Sequence, residues 1–168
     1  NLAAIAYHFG GKRELYRAVL RQLVTDVSAR ELPAVLMLKD GIANAAGRPE
    51  ALAALVSTFV RNLVGFFLDD AFMQSRAPLI LREFSLPSED FDIFYEGWLK
   101  PVHITMTRLA AVATGREVSD PDCAIRANTI IGQIMVFGIA RVILFRRLDW
   151  DGYTAQRTAE IARVVSES

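Results

Sequence analysis

Tyr7, His8 and Lys12 place a phenol, an imidazole and an ammonium group within six residues of one another. All three can donate hydrogen bonds to phosphate or base-edge oxygens, so the chemistry they could perform is recognition of a polyanion rather than bond making. Ala3 and Ala4 leave the same short surface nearly bare, which lets its backbone approach a groove. Residues 1–30 carry Lys12, Arg13, Arg17, Arg21 and Arg30 against Glu14 and Asp26, a local charge of +3 in a chain whose 19 basic and 19 acidic residues cancel. Contact with nucleic acid is therefore expected at this end alone, because binding along a whole surface needs a general excess of Lys and Arg. Arg13, Arg17 and Arg21 recur at every fourth position, a stripe read as a solvated face with a phosphate contact as the alternative.

Elsewhere the chain offers little reactive chemistry. There is no Gly-rich phosphate loop, no G-x-S-x-G elbow, no H-E-x-x-H pair and no Cys–His arrangement, so no catalytic residue and no cofactor is expected. His103 has no second His, Cys or paired carboxylate at ligand spacing, which excludes a metal site. The single cysteine, Cys123, cannot form an internal disulfide. Arg82, Trp98, His103 and Phe137 are the candidates for a small-molecule pocket, set among the aromatics Phe84, Phe91, Phe94 and Tyr95, which read as core with some lining a cavity. Arg82, Glu83, Gln133 and Arg141 are polar groups in apolar stretches, and pairing is the preferred reading over ligand contact.

The elements that must position these groups are all helical. The 168 residues are 52% hydrophobic and 23% charged, enough for one sizeable core and too apolar for disorder. Apolar residues recur at helical spacing almost throughout, and no segment alternates as a half-buried strand would. A short helix over residues 1–9 buries Leu2, Ile5, Ala6 and Phe9; Gly10 and Gly11 end it, and Lys12 opens a second whose apolar face is Leu15, Tyr16, Val19, Leu20, Leu23 and Val27. Residues 31–48, with Pro33, Gly41 and Gly47, are the least determined. Further helices are expected over 49–69, over 70–84 with Asp70 as cap and Pro78 inside, and over 88–113 with Ser88 as cap. In the last of these Pro101 deprives the Gly97 carbonyl of its helical donor, which predicts a kink there. Gly115 closes that helix, Asp120-Pro121 starts another that runs to about Phe145, and a final helix covers 153–165 after the turn at 149–152.

The run Thr129–Phe145 is too short and too polar for a membrane span, with Gln133 and Arg141 inside it, and reads as a helix buried on nearly all sides. No membrane partner is expected. A helix of that kind needs neighbours all round, and a second subunit can supply them, so Ile131, Met135, Gly138, Ile139 and Val142 are assigned to a homodimer interface shared with the last helix.

The segment Asn1-Leu2-Ala3-Ala4-Ile5-Ala6-Tyr7-His8-Phe9-Gly10-Gly11-Lys12-Arg13-Glu14-Leu15-Tyr16 resembles the recognition helix and following helix of TetR/AcrR-family transcriptional regulators. The stretches Leu79–Phe84, Pro87-Ser88, Tyr95–Gly97 and Lys100–His103 are similar to the CecR-like branch of that family. Ala6 stands where many relatives have Asn or Tyr, which removes one groove contact. The resemblance implies an all-α, TetR-like bundle with residues 1–30 as part of a helix-turn-helix domain and 31–168 as an effector-binding and dimerisation domain. It assigns operator contact to Tyr7, His8 and Lys12, and implies that the first two helices of the DNA-binding domain lie outside this sequence. The function it implies is a cytoplasmic, homodimeric repressor released from operator DNA by a small apolar or aromatic effector. The competing reading is a helical ligand- or partner-binding dimer module with no DNA role.

Overall fold

The computed structural model describes residues 9–45, 47–68 and 70–167; Ala3, Ala4, Tyr7 and His8 lie outside these. Regular structure among the described residues is helical throughout. Numbered from the first described helix, the elements are α1 (Lys12–Ala45), α2 (Pro49–Leu68), α3 (Asp70–Ser85), α4 (Phe91–Phe94), a π-helical turn (Tyr95–Leu99), α5 (Lys100–Thr114), α6 (Pro121–Ile139), α7 (Arg141–Leu148) and α8 (Ala155–Glu167).

α1 is one helix of 34 residues, and the expected domain boundary between residues 30 and 31 falls inside it. It continues because its buried residues, Leu20, Leu23, Val27, Glu31, Leu38 and Ala45, keep to a single stripe with spacings of three, four and seven. Pro33 removes one N–H from the helical ladder without ending it. α2 buries Phe59, Val60, Leu63, Val64, Phe67 and Leu68 and packs on α1, α6 and α8. It is long and apolar enough to cross a membrane by length and composition, but in this fold those side chains form the centre of the core.

Between α3 and α4 the chain breaks at Leu86 and Pro87, as read, yet Ser88 is not the helix cap. α4 starts at Phe91, and the Ser88 hydroxyl instead donates to Glu83 Oε2 at 3.0 Å while accepting from the Asp90 amide at 3.3 Å. The hydroxyl thus bridges the buried carboxylate and a backbone amide of the turn ahead of α4. The kink expected near Pro101 takes the form of the π-turn, with Pro101 in the first turn of α5. The Gly97 carbonyl, which Pro101 leaves without a helical donor, accepts from Ser28 Oγ of α1 at 3.2 Å. Only glycine fits there, since a Cβ would lie 2.6 Å from Val24 Cγ1.

Three expectations about the C-terminal helices are corrected. The helix from Asp120-Pro121 does not reach Phe145 unbroken: it stops at Ile139, and after Ala140 (φ −105°, ψ 25°) the axis turns by 65° into α7. The Tyr153 hydroxyl donates to the Phe137 carbonyl at 2.6 Å, occupying the acceptor that the Arg141 amide would need to continue the helix. Nor is α6 buried on nearly all sides. Cys123, Ala127 and Ile134 are buried, whereas Ile125, Val136 and Ile139 on α6 and Val142 and Ile143 on α7 are exposed. The last helix begins at Ala155 rather than 153, because Thr154 Oγ1 accepts from the Arg157 amide at 3.3 Å.

The Tyr153 contact yields a direct test. Tyr153→Phe leaves the Phe137 carbonyl without its donor and is expected to lower stability by about 1–2 kcal/mol in urea unfolding.

Candidate functional site

A cavity of about 470 Å³ lies between α1, α2, the α3–α5 stretch and α6. Leu63 and Phe67 of α2 form one wall; Ile131, Gly132 and Met135 of α6 form another, with Asn128 as its polar group. Aromatic rings make up most of the third. The π-turn sets two pairs of rings four residues apart: Phe91 stacks on Tyr95 at 6.2 Å between centroids, and Phe94 meets Trp98 edge-on at 5.0 Å. Phe91, Tyr95 and Trp98 face the cavity with Phe84, while Phe94 is fully buried behind them.

Of the residues expected to line a pocket, Trp98 and His103 do so. His103 Nδ1 lies 3.4 Å from Thr107 Oγ1, and that hydroxyl donates to the His103 carbonyl at 2.8 Å. Arg82 and Phe137 lie elsewhere. α3 turns Ile80 and Glu83 inward, so Arg82 emerges on its outer side with its guanidinium 5.1 Å from the centre of the Tyr16 ring. Phe137 packs on the main core rather than on the cavity. The residues assigned to a dimer surface also divide. Ile131 and Met135 line the cavity, Gly138 sits against the Phe67 carbonyl of α2 where a Cβ would come within 3.1 Å, and Ile139 and Val142 are exposed.

Glu31 is the residue that reading the sequence missed. It is 5% exposed, lines the cavity from α1, and accepts a hydrogen bond from Trp98 Nε1 on Oε2. Burial pushes its carboxyl up to about 7, opposed by the Trp98 hydrogen bond. With Leu63 it also borders a second pocket of about 440 Å³ between α1 and α2. A signal was available: the stripe Leu20, Leu23, Val27 continues by four residues onto Glu31 and then onto Ala34 and Leu38, which puts a carboxylate in a core position.

The other buried carboxylate, Glu83, sits where α1 meets the α3–α4 corner. It accepts from the Tyr16 hydroxyl, from the Ser88 amide at 3.2 Å and from Ser88 Oγ at 3.0 Å. Burial and the hydrogen bond to Glu83 push the Tyr16 phenol up to about 12. Beside it Arg17 Nε donates to Asp90 Oδ1 at 2.7 Å and Arg13 lies 2.9 Å from Glu89, so two members of the basic stripe are engaged within the protein. Arg17 holds the Asp90 carboxyl below the usual carboxylate range. Lys12 and Arg21 are exposed. Among the described residues no three His, Cys, Asp or Glu side chains converge as a metal site would require.

The Glu31 titration has a definite sign. Its folded-state value, about 7, lies above the ordinary 4.5, so the fold holds a proton that the unfolded chain releases between those limits. The stability this confers is fully present below pH 4.5 and lost as pH rises through 7. Glu31→Gln keeps an acceptor for Trp98 without the charge. It is expected to match the parent protein near pH 4 and exceed it by about 3 kcal/mol at pH 8.5, read from denaturant unfolding at the two pH values.

Comparison with known sequences agrees with this architecture. Residues 52–168 match the family described as the C-terminal domain of the HTH-type transcriptional dual regulator CecR. The chain is also 25% identical over 166 residues to the HTH-type transcriptional dual regulator CecR of Shigella flexneri, covering 99% of this chain and 74% of that protein. The family match begins within α2 and takes in every cavity wall except the one that α1 contributes. With most of its length matched, the chain belongs to the family of CecR-type helix-turn-helix transcriptional regulators, of which it carries the C-terminal domain.

Proposed function

We propose that this chain is a ligand-responsive, DNA-binding transcriptional regulator that acts as a homodimer, with the cavity at Trp98 and His103 as its effector site. The observation that carries the reading is the aromatic cavity walled in part by α1, the helix that begins at the expected DNA-reading end. In this reading residues 1–30 belong to the DNA-binding domain, and 31–168 bind effector and form the dimer. Ala3, Ala4, Tyr7 and His8 approach the operator, and Lys12, exposed at the start of α1, meets a phosphate. The resemblance to TetR/AcrR regulators favours repression relieved by an apolar or aromatic effector.

The effector acts by preferring one spacing of the two DNA-reading helices, since only differential affinity moves such an equilibrium. About 100-fold tighter binding to one state supplies roughly 2.7 kcal/mol, enough to release DNA from nearly balanced states. The dimer surface is placed on α6 and α7, where Ile139, Val142 and Ile143 leave an apolar face uncovered. The protein is assigned to the cytoplasm with its DNA, without a membrane partner, cofactor or catalytic role; the apolar side of α2 is already taken up by the core.

Two measurements test this. The intact protein should bind its own upstream DNA over random duplex in a salt-dependent way, and Lys12→Ala should reduce the slope of log affinity against log salt by about one. No preference for the upstream DNA would favour the module without a DNA role. Val142→Asp, on the exposed face of α7, should shift the protein from dimer to monomer in sedimentation velocity; an unchanged dimer would place the interface elsewhere.

A further inference from the structure

We propose that the cavity is built for a hydrophobic cation, an aromatic amine or quaternary ammonium whose positive group pairs with the Glu31 carboxylate. This rests on the effector-site reading above and specifies the chemistry of the ligand.

The two buried carboxylates, Glu31 and Glu83, make the contrast. Glu83 is fully buried and receives three donors, from Tyr16 and Ser88. Glu31 is almost as buried, yet among the described residues its one partner is Trp98 Nε1. A carboxylate with a single neutral donor is poorly compensated when ionised, and a cation is what compensates it. The neighbouring wall suits the same guest. Phe84, Phe91, Tyr95 and Trp98 line the cavity beside Glu31, and aromatic faces attract a cation through their quadrupoles. About 470 Å³ accommodates a molecule of drug size, so the apolar body of the ligand can fill the space against Leu63, Ile131 and Met135. Above pH 7 a neutral guest leaves the Glu31 carboxylate without a counter-charge, and an anion meets a like charge. The buried carboxylate also reacts to loading: a bound cation lowers the affinity of Glu31 for its proton and fixes a negative charge on α1.

The test is calorimetric titration of the intact protein at pH 8 with three probes of one shape: phenylbutyl-trimethylammonium, its neutral isostere with carbon in place of nitrogen, and phenylpentanoate. The cation should bind about tenfold or more tightly than the isostere, with the carboxylate weakest, and in Glu31→Gln the preference should shrink to about threefold or less. Equal binding of cation and isostere overturns the charge assignment while leaving the cavity a ligand site. A cation preference undiminished in Glu31→Gln overturns Glu31 as its cause. Failure of all three probes to bind overturns the effector-site reading with it. Should the variant not fold, equal binding of cation and isostere by the unsubstituted protein still overturns the charge assignment.

Discussion

A carboxylate taken out of water must be crowded with donors or relieved of its charge, and the two along α1 meet that demand in opposite ways. Glu83 is satisfied from three directions and binds the start of α1 to the corner between α3 and α4. The Ser88 hydroxyl that donates to it also accepts from the Asp90 amide, so the corner before α4 is tied to Glu83. Glu31 holds Trp98 by one hydrogen bond and borders a cavity lined mostly by apolar and aromatic side chains. Glu83 is a fastening, whereas Glu31 borders the cavity between α1 and the π-turn.

The π-turn is the other half of that arrangement. Pro101 forbids a regular helix through Gly97, and the chain widens by a residue there instead of bending sharply away from α1. The widening keeps the segment against α1, where Ser28 supplies the missing donor and the bare Gly97 allows the backbones to close. Phe94 and Trp98 then meet edge-on at successive turns, and Phe91, Tyr95 and Trp98 face the cavity. A single imino acid thus shapes the aromatic wall.

Much of this was legible beforehand, for reasons tied to particular residues. Gly115 with a positive φ and the Asp120-Pro121 pair mark ends that local chemistry alone determines, and both stand where they were placed. The orphaned Gly97 carbonyl was foreseeable from Pro101, but its rescue by Ser28 depends on a helix 69 positions away and was not. The break at Ala140 was hidden for the same reason, since the group that causes it, the Tyr153 hydroxyl, acts across 16 positions. His103 could be named because it is one of only two histidines, and Trp98 because it closes a run of aromatics from Phe84; Arg82 misled because its helix turns a different face inward. Glu31 was lost to a charge-based reading that expects carboxylates outside. The proposal that Ala3, Ala4, Tyr7 and His8 face an operator stands on the sequence alone.

The unbroken length of α1 has a mechanical meaning. Glu31 and Lys12 are nineteen positions apart on one helix, about 28 Å at 1.5 Å per residue, with no glycine or proline between them. A rod of that kind transmits angle as displacement: pivoting it by about 5° at the cavity carries its far end through about 2.5 Å. Pro33, two residues beyond Glu31, is where the rod is most easily flexed, because one rung of its ladder is absent there. The helix is thus a lever with its weak point beside the load, and the long arm lies on the side of Lys12.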